Sequence, residues 1–223
     1  MLKADFKTRE EKGINYLVKN GKAVRYMPWM GDLLARFYDP IMSRKVFPGK
    51  FNADMERHFT ILRKELDGIR GKKVLEIGTG SGSAVHFLNP DNGYTGLDIS
   101  SRLLRKAMKT LEAAGFGEPG LYVASAGELP FENDSFDLCL CILALNFFDD
   151  IPKVLGEVHR VLLPGGTFIG AVPVPERTDS DVRIRGTFIS ESRIAEYAAA
   201  CGLDYHGLNA ENGALLYFRM ESH

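Results

Sequence analysis

At 223 residues, with hydrophobic side chains at 45% and charged ones at 26% of positions, the chain is long enough to bury a full core and too balanced for a disordered class. No apolar run approaches the roughly 20 residues that a membrane-spanning helix needs. The formal net charge of −1 supplies no overall field toward nucleic acid or an anionic membrane.

The N-terminal stretch "MLKADFKTREEK" lacks an apolar signal region, so the expected compartment is the cytoplasm. Lys and Arg outnumber acids over residues 1–25, which reads as a solvated basic face. "NYLVKNGKAVRYMPWMG" is rich in aromatics and methionine without a clean period. "GDLLARFYDPIMSRKVF" and "ADMERHFTILRKELDGI" follow and read as two amphipathic helices. Residues 1–72 are therefore expected to form an N-terminal helical cap, too short and broken to bury a core alone. Its Tyr16, Tyr26, Trp29, Phe37 and Tyr38 either pad a sheet edge or close over a pocket.

From Lys73 onward short apolar runs alternate with longer amphipathic ones, the pattern of crossover units around a parallel sheet. "SAVHFL" reads as the start of the first crossover helix. Ser100 or Ser101 can cap the next one, where Leu103, Leu104, Ala107, Met108 and Leu111 form one apolar stripe and Gly115 can stop it. Asp149 or Asp150 can cap the helix through Pro152. "LDYHGLN" and "ALLYFRM" flank Asn212-Gly213, a hairpin-turn signal. The expectation is an α/β fold: a doubly wound, mostly parallel seven-stranded sheet over residues 73–223, Rossmann-like, ending in an antiparallel hairpin. Cys139 and Cys141 alternate inside a strand-like run and Cys201 ends a helical pattern, so core thiols are expected rather than a metal site or a disulfide.

The chemistry concentrates in "VLEIGTGSGSAVHFL", Val74 to Leu88. Gly78, Gly80 and Gly82, with Thr79 between the first two, form G-x-G-x-G, one residue shorter than the spacing that seats a pyrophosphate on a helix N-terminus. Glu76 stands two residues before the first glycine, awkward beside two phosphates but suited to an ammonium or sulfonium group. Twenty residues beyond Gly78, Asp98 ends the second strand, where an acid can accept hydrogen bonds from both hydroxyls of a ribose without a 2′-phosphate. The competing role for Asp98 is to cap the helix that follows.

"VLEIGTGSG", "GLDIS", "ASAGELPFENDSFDLCLCILALNFFDD" and "EVHRVLLPGGTF", in that order, resemble the class I S-adenosylmethionine-dependent methyltransferases, in particular the type-11 group that includes quinone C-methyltransferases. The resemblance covers about Val74 to Val172, with "FYDPIM" as a fainter echo before it. It implies S-adenosylmethionine as cofactor. Glu76, Gly78 and Gly80 would face the methionine part, Asp98 the ribose, and Ile99 the adenine face. Ser125-Ala126 replaces the family's usual Asp-Ala at the adenine edge, and Ile142 and Leu143 would lie beside the transferring methyl.

No catalytic base stands out. His58, on the second cap helix, Tyr38, and Asn146 after the fourth strand are the candidates; His86 reads as a packed histidine. "ILALNFF" lacks the Asn-or-Asp-Pro-Pro-aromatic motif of exocyclic-amine methylation, so the expected partner is a small, apolar or aromatic methyl acceptor, with the chain a monomer or homodimer. Rival readings are a cofactor-binding module without turnover, an RNA methyltransferase using the basic N-terminus, and an NAD-dependent oxidoreductase. Spacing and Glu76 count against the last.

Overall fold

The computed structural model of the chain describes residues 2–26, 37–179 and 181–223. Trp29, expected in the cap, lies outside them. Three short strands open the chain: β1 (Lys7–Glu11), β2 (Ile14–Lys19) and β3 (Lys22–Ala23). A helical stretch with a π-turn at its centre spans residues 38–50 and leads to α1 (Met55–Glu65). Then come β4 (Lys73–Ile77), β5 (Gly93–Asp98), α2 (Ser101–Ala113), β6 (Gly120–Val123), β7 (Phe136–Ile142), α3 (Ile151–Val161), β8 (Leu162–Pro173), α4 (Glu191–Ala200), β9 (Leu203–Gly207) and β10 (Leu215–Ser222).

All ten strands belong to one sheet in the order β1-β2-β6-β5-β4-β7-β8-β10-β9, with β3 on β2. The seven strands from β6 to β9 are the expected ones. Those from β6 to β8 pair in parallel, and β10 runs antiparallel to both β8 and β9. Helices cover both faces, which is why β4 and β7 are nearly continuous apolar runs rather than alternating ones. One core packs α3 and α4 under Phe168, Leu216 and Phe218; the other packs α1 and α2 under Leu140, Ile169 and Tyr217.

Local signals place the helices. The Ser100 hydroxyl accepts from Leu103 N–H at 3.1 Å to start α2, whose Leu103, Leu104, Ala107 and Leu111 are buried. Asp150 accepts from Lys153 N–H at 3.0 Å to start α3, with Pro152 in its first turn.

Three expectations need correction. Residues 7–23 are strands and not part of a helical cap, so the sheet has ten strands rather than seven. β2 lies parallel to β6, with Ile14 opposite Leu121 and Tyr16 opposite Val123; Tyr16 is thus a core residue and not a pocket aromatic. The cause is local: Asn20-Gly21, both at positive φ, joins β2 to β3 as a two-residue hairpin turn. Asn212-Gly213 does not make such a turn. Pairing ends at Gly207 opposite Phe218, and the Asn212 side chain instead clasps the backbone of Asp54. "SAVHFL" forms only a 3₁₀ turn, Ser83–His86, because Asn89-Pro90 follows too closely for an α-helix to develop.

Candidate cofactor site

Strand order reverses at β4: β5 lies on one side and β7 on the other, so the C-terminal ends of β4 and β7 border the crevice where open α/β sheets take ligands. The glycine loop leaves β4 at that point. Gly78 has φ +76°, and a Cβ there would collide with the Ala144 side chain after β7, so only glycine lets the two loops meet. Gly82 passes so close to α2 that a Cβ there would stand only 3.0 Å from the Ala107 Cα. The loop holds itself together: Gly78 and Thr79 N–H both donate to Leu97 C=O at 2.9 and 3.0 Å, and Gly80 N–H donates to Asp98 Oδ2 at 3.0 Å. These three donors are therefore taken up by the end of β5 and are not free to cradle a phosphate. That is a physical reason against a pyrophosphate ligand.

Asp98 serves the start of α2, one of the two roles weighed for it. Its Oδ1 accepts from Ser100 N–H at 2.8 Å at the mouth of α2, and its Oδ2 accepts from Gly80 N–H at 3.0 Å; a carboxylate oxygen can accept more than one hydrogen bond. It lines a cavity of about 460 Å³ with Gly78, Gly80, Ile99, Ser125, Ala126, Ile142 and Leu143, all of them residues singled out in the sequence. Ile99 is 41% exposed, an apolar surface open to a flat partner. The residues fit a nucleoside with an unmodified ribose.

Two expected members stand elsewhere. Glu76 does not line the cavity: strand alternation turns it beneath the loop, buried, where Tyr94 donates its hydroxyl to the carboxylate. Burial pushes that carboxyl up to about 8; the Tyr94 bond opposes the shift and nearby Asp98 adds to it. Asn146 is buried after β7 but works as a clamp. Its Nδ2 donates to Arg185 C=O and its own C=O accepts from Thr187 N–H, both at 2.6 Å, which ties the 185–187 segment to the end of β7.

Thr79 and Gly82 line a second cavity, of about 290 Å³, adjoining the first and sharing Tyr38, Gly78, Gly80, Ile142 and Leu143 with it. Its walls are Met42, Phe47, Met55, His58, Phe59 and His86. Only His58 and Tyr38 were read as candidates beforehand. Met42 lies in the "FYDPIM" segment and His86 reads as a packed histidine, while Phe47, Met55 and Phe59 carry no motif. Asp39 pins this cover to the loop, accepting from Ser81 Oγ at 2.6 Å and pairing with Lys106 at 2.6 Å. Burial, then the charges of Asp98 and Asp39, pushes the Tyr38 phenol up to about 12, so it stays protonated. Burial lowers His58 to about 3, so its ring is neutral. Of the remaining aromatics, Tyr26 lines the first cavity and Phe37 lines neither.

Residues 75–170 match the family described as Methyltransferase domain. Over 98 residues the chain is 39% identical to malonyl-[acyl-carrier protein] O-methyltransferase of Erwinia billingiae, covering 44% of this chain and 37% of that protein. Over 101 residues it is 32% identical to demethylmenaquinone methyltransferase of Geobacillus kaustophilus, covering 44% and 43%. The chain thus spans under half the length of either relative. In fold it is similar to a chain of the Haloferax volcanii complex containing the Trm112 methyltransferase activator, with a TM-score of 0.73, 20% identity and coverage of 89% and 100%. It is also similar to the [4+2]-cyclase SpnF, with a TM-score of 0.69, 15% identity and coverage of 86% and 93%.

Proposed function

We propose, on the match of residues 75–170 to a methyltransferase domain, that the chain is a class I S-adenosylmethionine-dependent methyltransferase, that it binds S-adenosylmethionine in the larger cavity and that it methylates a small, apolar or aromatic acceptor seated in the adjoining one. The observation that carries this is the convergence of Gly78, Gly80, Asp98, Ile99, Ser125, Ala126, Ile142 and Leu143 on one cavity wall. Asp98 would accept the ribose hydroxyls, Ile99 would pack on the adenine, and Ser125-Ala126 would meet its edge.

The cofactor supplies an electrophilic methyl on a sulfonium. The chain's part is placement. Tyr38, Gly78, Gly80, Ile142 and Leu143 border both cavities and would hold donor and acceptor in line across their junction, an ordering effect that can account for about 7–11 kcal/mol of a barrier. Neither Tyr38 nor His58 would serve as a base near neutral pH, so methyl transfer would not depend on a proton taken by either of them. The cover formed by residues 38–59 would exclude water from the junction.

Calorimetric titration with S-adenosylmethionine, S-adenosylhomocysteine and NAD, on wild type and Asp98→Ala, tests the reading. Binding of the first two, silence with NAD and at least tenfold weaker binding by the variant are expected. Binding of NAD, or of none, overturns it. A cofactor-binding role without methyl transfer is the second reading, because a cyclase shares this fold. It predicts the same titration and no turnover across an acceptor screen.

A further inference from the structure

Two side chains, Asn212 and Tyr217, fix the orientation of His58, which lies 159 residues before Tyr217 in the sequence. Asn212 pairs with the Asp54 backbone at two points, Oδ1 accepting from N–H and Nδ2 donating to C=O, each at 2.9 Å. That pairing leaves no freedom in which end of the amide is which. The second hydrogen on Nδ2 then donates to the Tyr217 hydroxyl at 3.0 Å. A phenol has a single hydrogen, so Tyr217 must give it to its other partner, His58 Nδ1, at 2.9 Å. Nδ1 is consequently the bare nitrogen of a neutral ring, and the proton sits on Nε2, directed away from Tyr217.

His58 is 2% exposed, held edge-on by Phe47 at 5.2 Å between ring centres and flanked by Phe59 at 5.6 Å. It lines the second cavity, and among the described residues no group accepts from Nε2. With no such partner, Nε2–H can donate to a ligand oxygen seated in the cavity.

Resting on the cofactor reading above, we propose that His58 is the recognition point for the acceptor: its Nε2–H donates to a hydroxyl or carbonyl oxygen on an aromatic or enolic ring held among Met42, Phe47, Met55 and Phe59. Tyr217 and Asn212 are positioning residues that act through it. His58 is a neutral donor and not a base, because Nδ1 is committed and burial keeps the ring uncharged.

The test uses the full chain with and without S-adenosylhomocysteine, and 2-naphthol and naphthalene as matched ring probes. Wild type is expected to bind 2-naphthol at least tenfold more tightly than naphthalene. His58→Phe should erase that preference while leaving naphthalene and S-adenosylhomocysteine affinities within threefold. Tyr217→Phe keeps the imidazole but frees Nδ1. Nitrogen-15 spectra of labelled histidine should show one Nε2–H tautomer in wild type and a mixture in this variant, with a partial loss of naphthol preference. An undiminished preference in His58→Phe, an Nδ1–H tautomer in wild type, or failure of wild type to bind either probe overturns the proposal. If S-adenosylhomocysteine does not bind, the cofactor reading falls, while the naphthol comparison on the free protein still decides the role of His58.

Discussion

The glycine loop rests on a buried acid, and its titration should be visible in the stability of the protein. Glu76 is pushed up to about 8 from an ordinary value of 4.5, so the folded chain keeps a proton that the unfolded chain has already released between those limits. Stability therefore falls as pH rises through that window. Glu76→Gln removes the fall. Its melting temperature should match wild type near pH 4.5 and exceed it at pH 9, by roughly 2–4 °C for each kcal/mol at this chain length; a gap that does not change with pH would mean Glu76 is not held protonated. A cation bound above the loop would favour the ionised form, so the affinity ratio of S-adenosylmethionine to S-adenosylhomocysteine should rise with pH through about 8. Tyr38 borders both cavities, and Tyr38→Ala is expected to lower acceptor turnover by at least tenfold while S-adenosylhomocysteine affinity falls less than threefold. Equal losses would remove Tyr38 from the acceptor side.

At the level of elements, the N-terminal strands are part of the sheet and not a detachable cover. Ile14 is fully buried where β2 meets β6, so Ile14→Ala should cost about 2–5 kcal/mol, read as a lowered urea midpoint for the whole chain in one transition. A separate early transition, or no change, would show that β1 to β3 fold apart from the rest. The basic excess of residues 1–25 also finds a place here. β1 is the sheet edge, and Lys7, Arg9 and the exposed acids around them blunt pairing with another chain. Two Asn-Gly pairs illustrate how far local chemistry reaches. Asn20-Gly21 makes the tight turn its residues favour, because two short strands flank it directly. Asn212-Gly213 does not, because the Asn212 amide finds three partners on Asp54 and Tyr217.

For the molecule as a whole, the three cysteines report on how the core is closed. Cys139 and Cys141 are fully buried between the helical layers, and burial pushes both thiols up. Cys201 is partly exposed at the end of α4. At most one thiol should react with a disulfide reagent at neutral pH in the native protein, and all three in denaturant; two or more reacting natively would mean that the face covered by α3 opens readily. No helix among the described residues is long and apolar enough to cross a membrane.

The amino-acid sequence alone determined the parallel sheet, narrowed two helix caps to Ser100 or Ser101 and Asp149 or Asp150, and set Asp98 beside the glycine loop; Ile99, Ser125 and Leu143 were implied by the family resemblance. The reason is that crossover units end their strands at one edge of the sheet, so the spacing from the glycine loop to Asp98 maps onto neighbouring positions around one crevice. Only the tertiary structure decided what lies beneath and beyond that crevice. Glu76 is turned under the loop by the pleat and claimed by Tyr94, from the neighbouring strand. The second cavity is walled by apolar side chains that no motif marks, and His58 takes its tautomer from Tyr217, 159 residues away. A hydrogen-bond chain of that kind depends on which surfaces the folded helices and sheet bring together, and no period or spacing in the sequence encodes it.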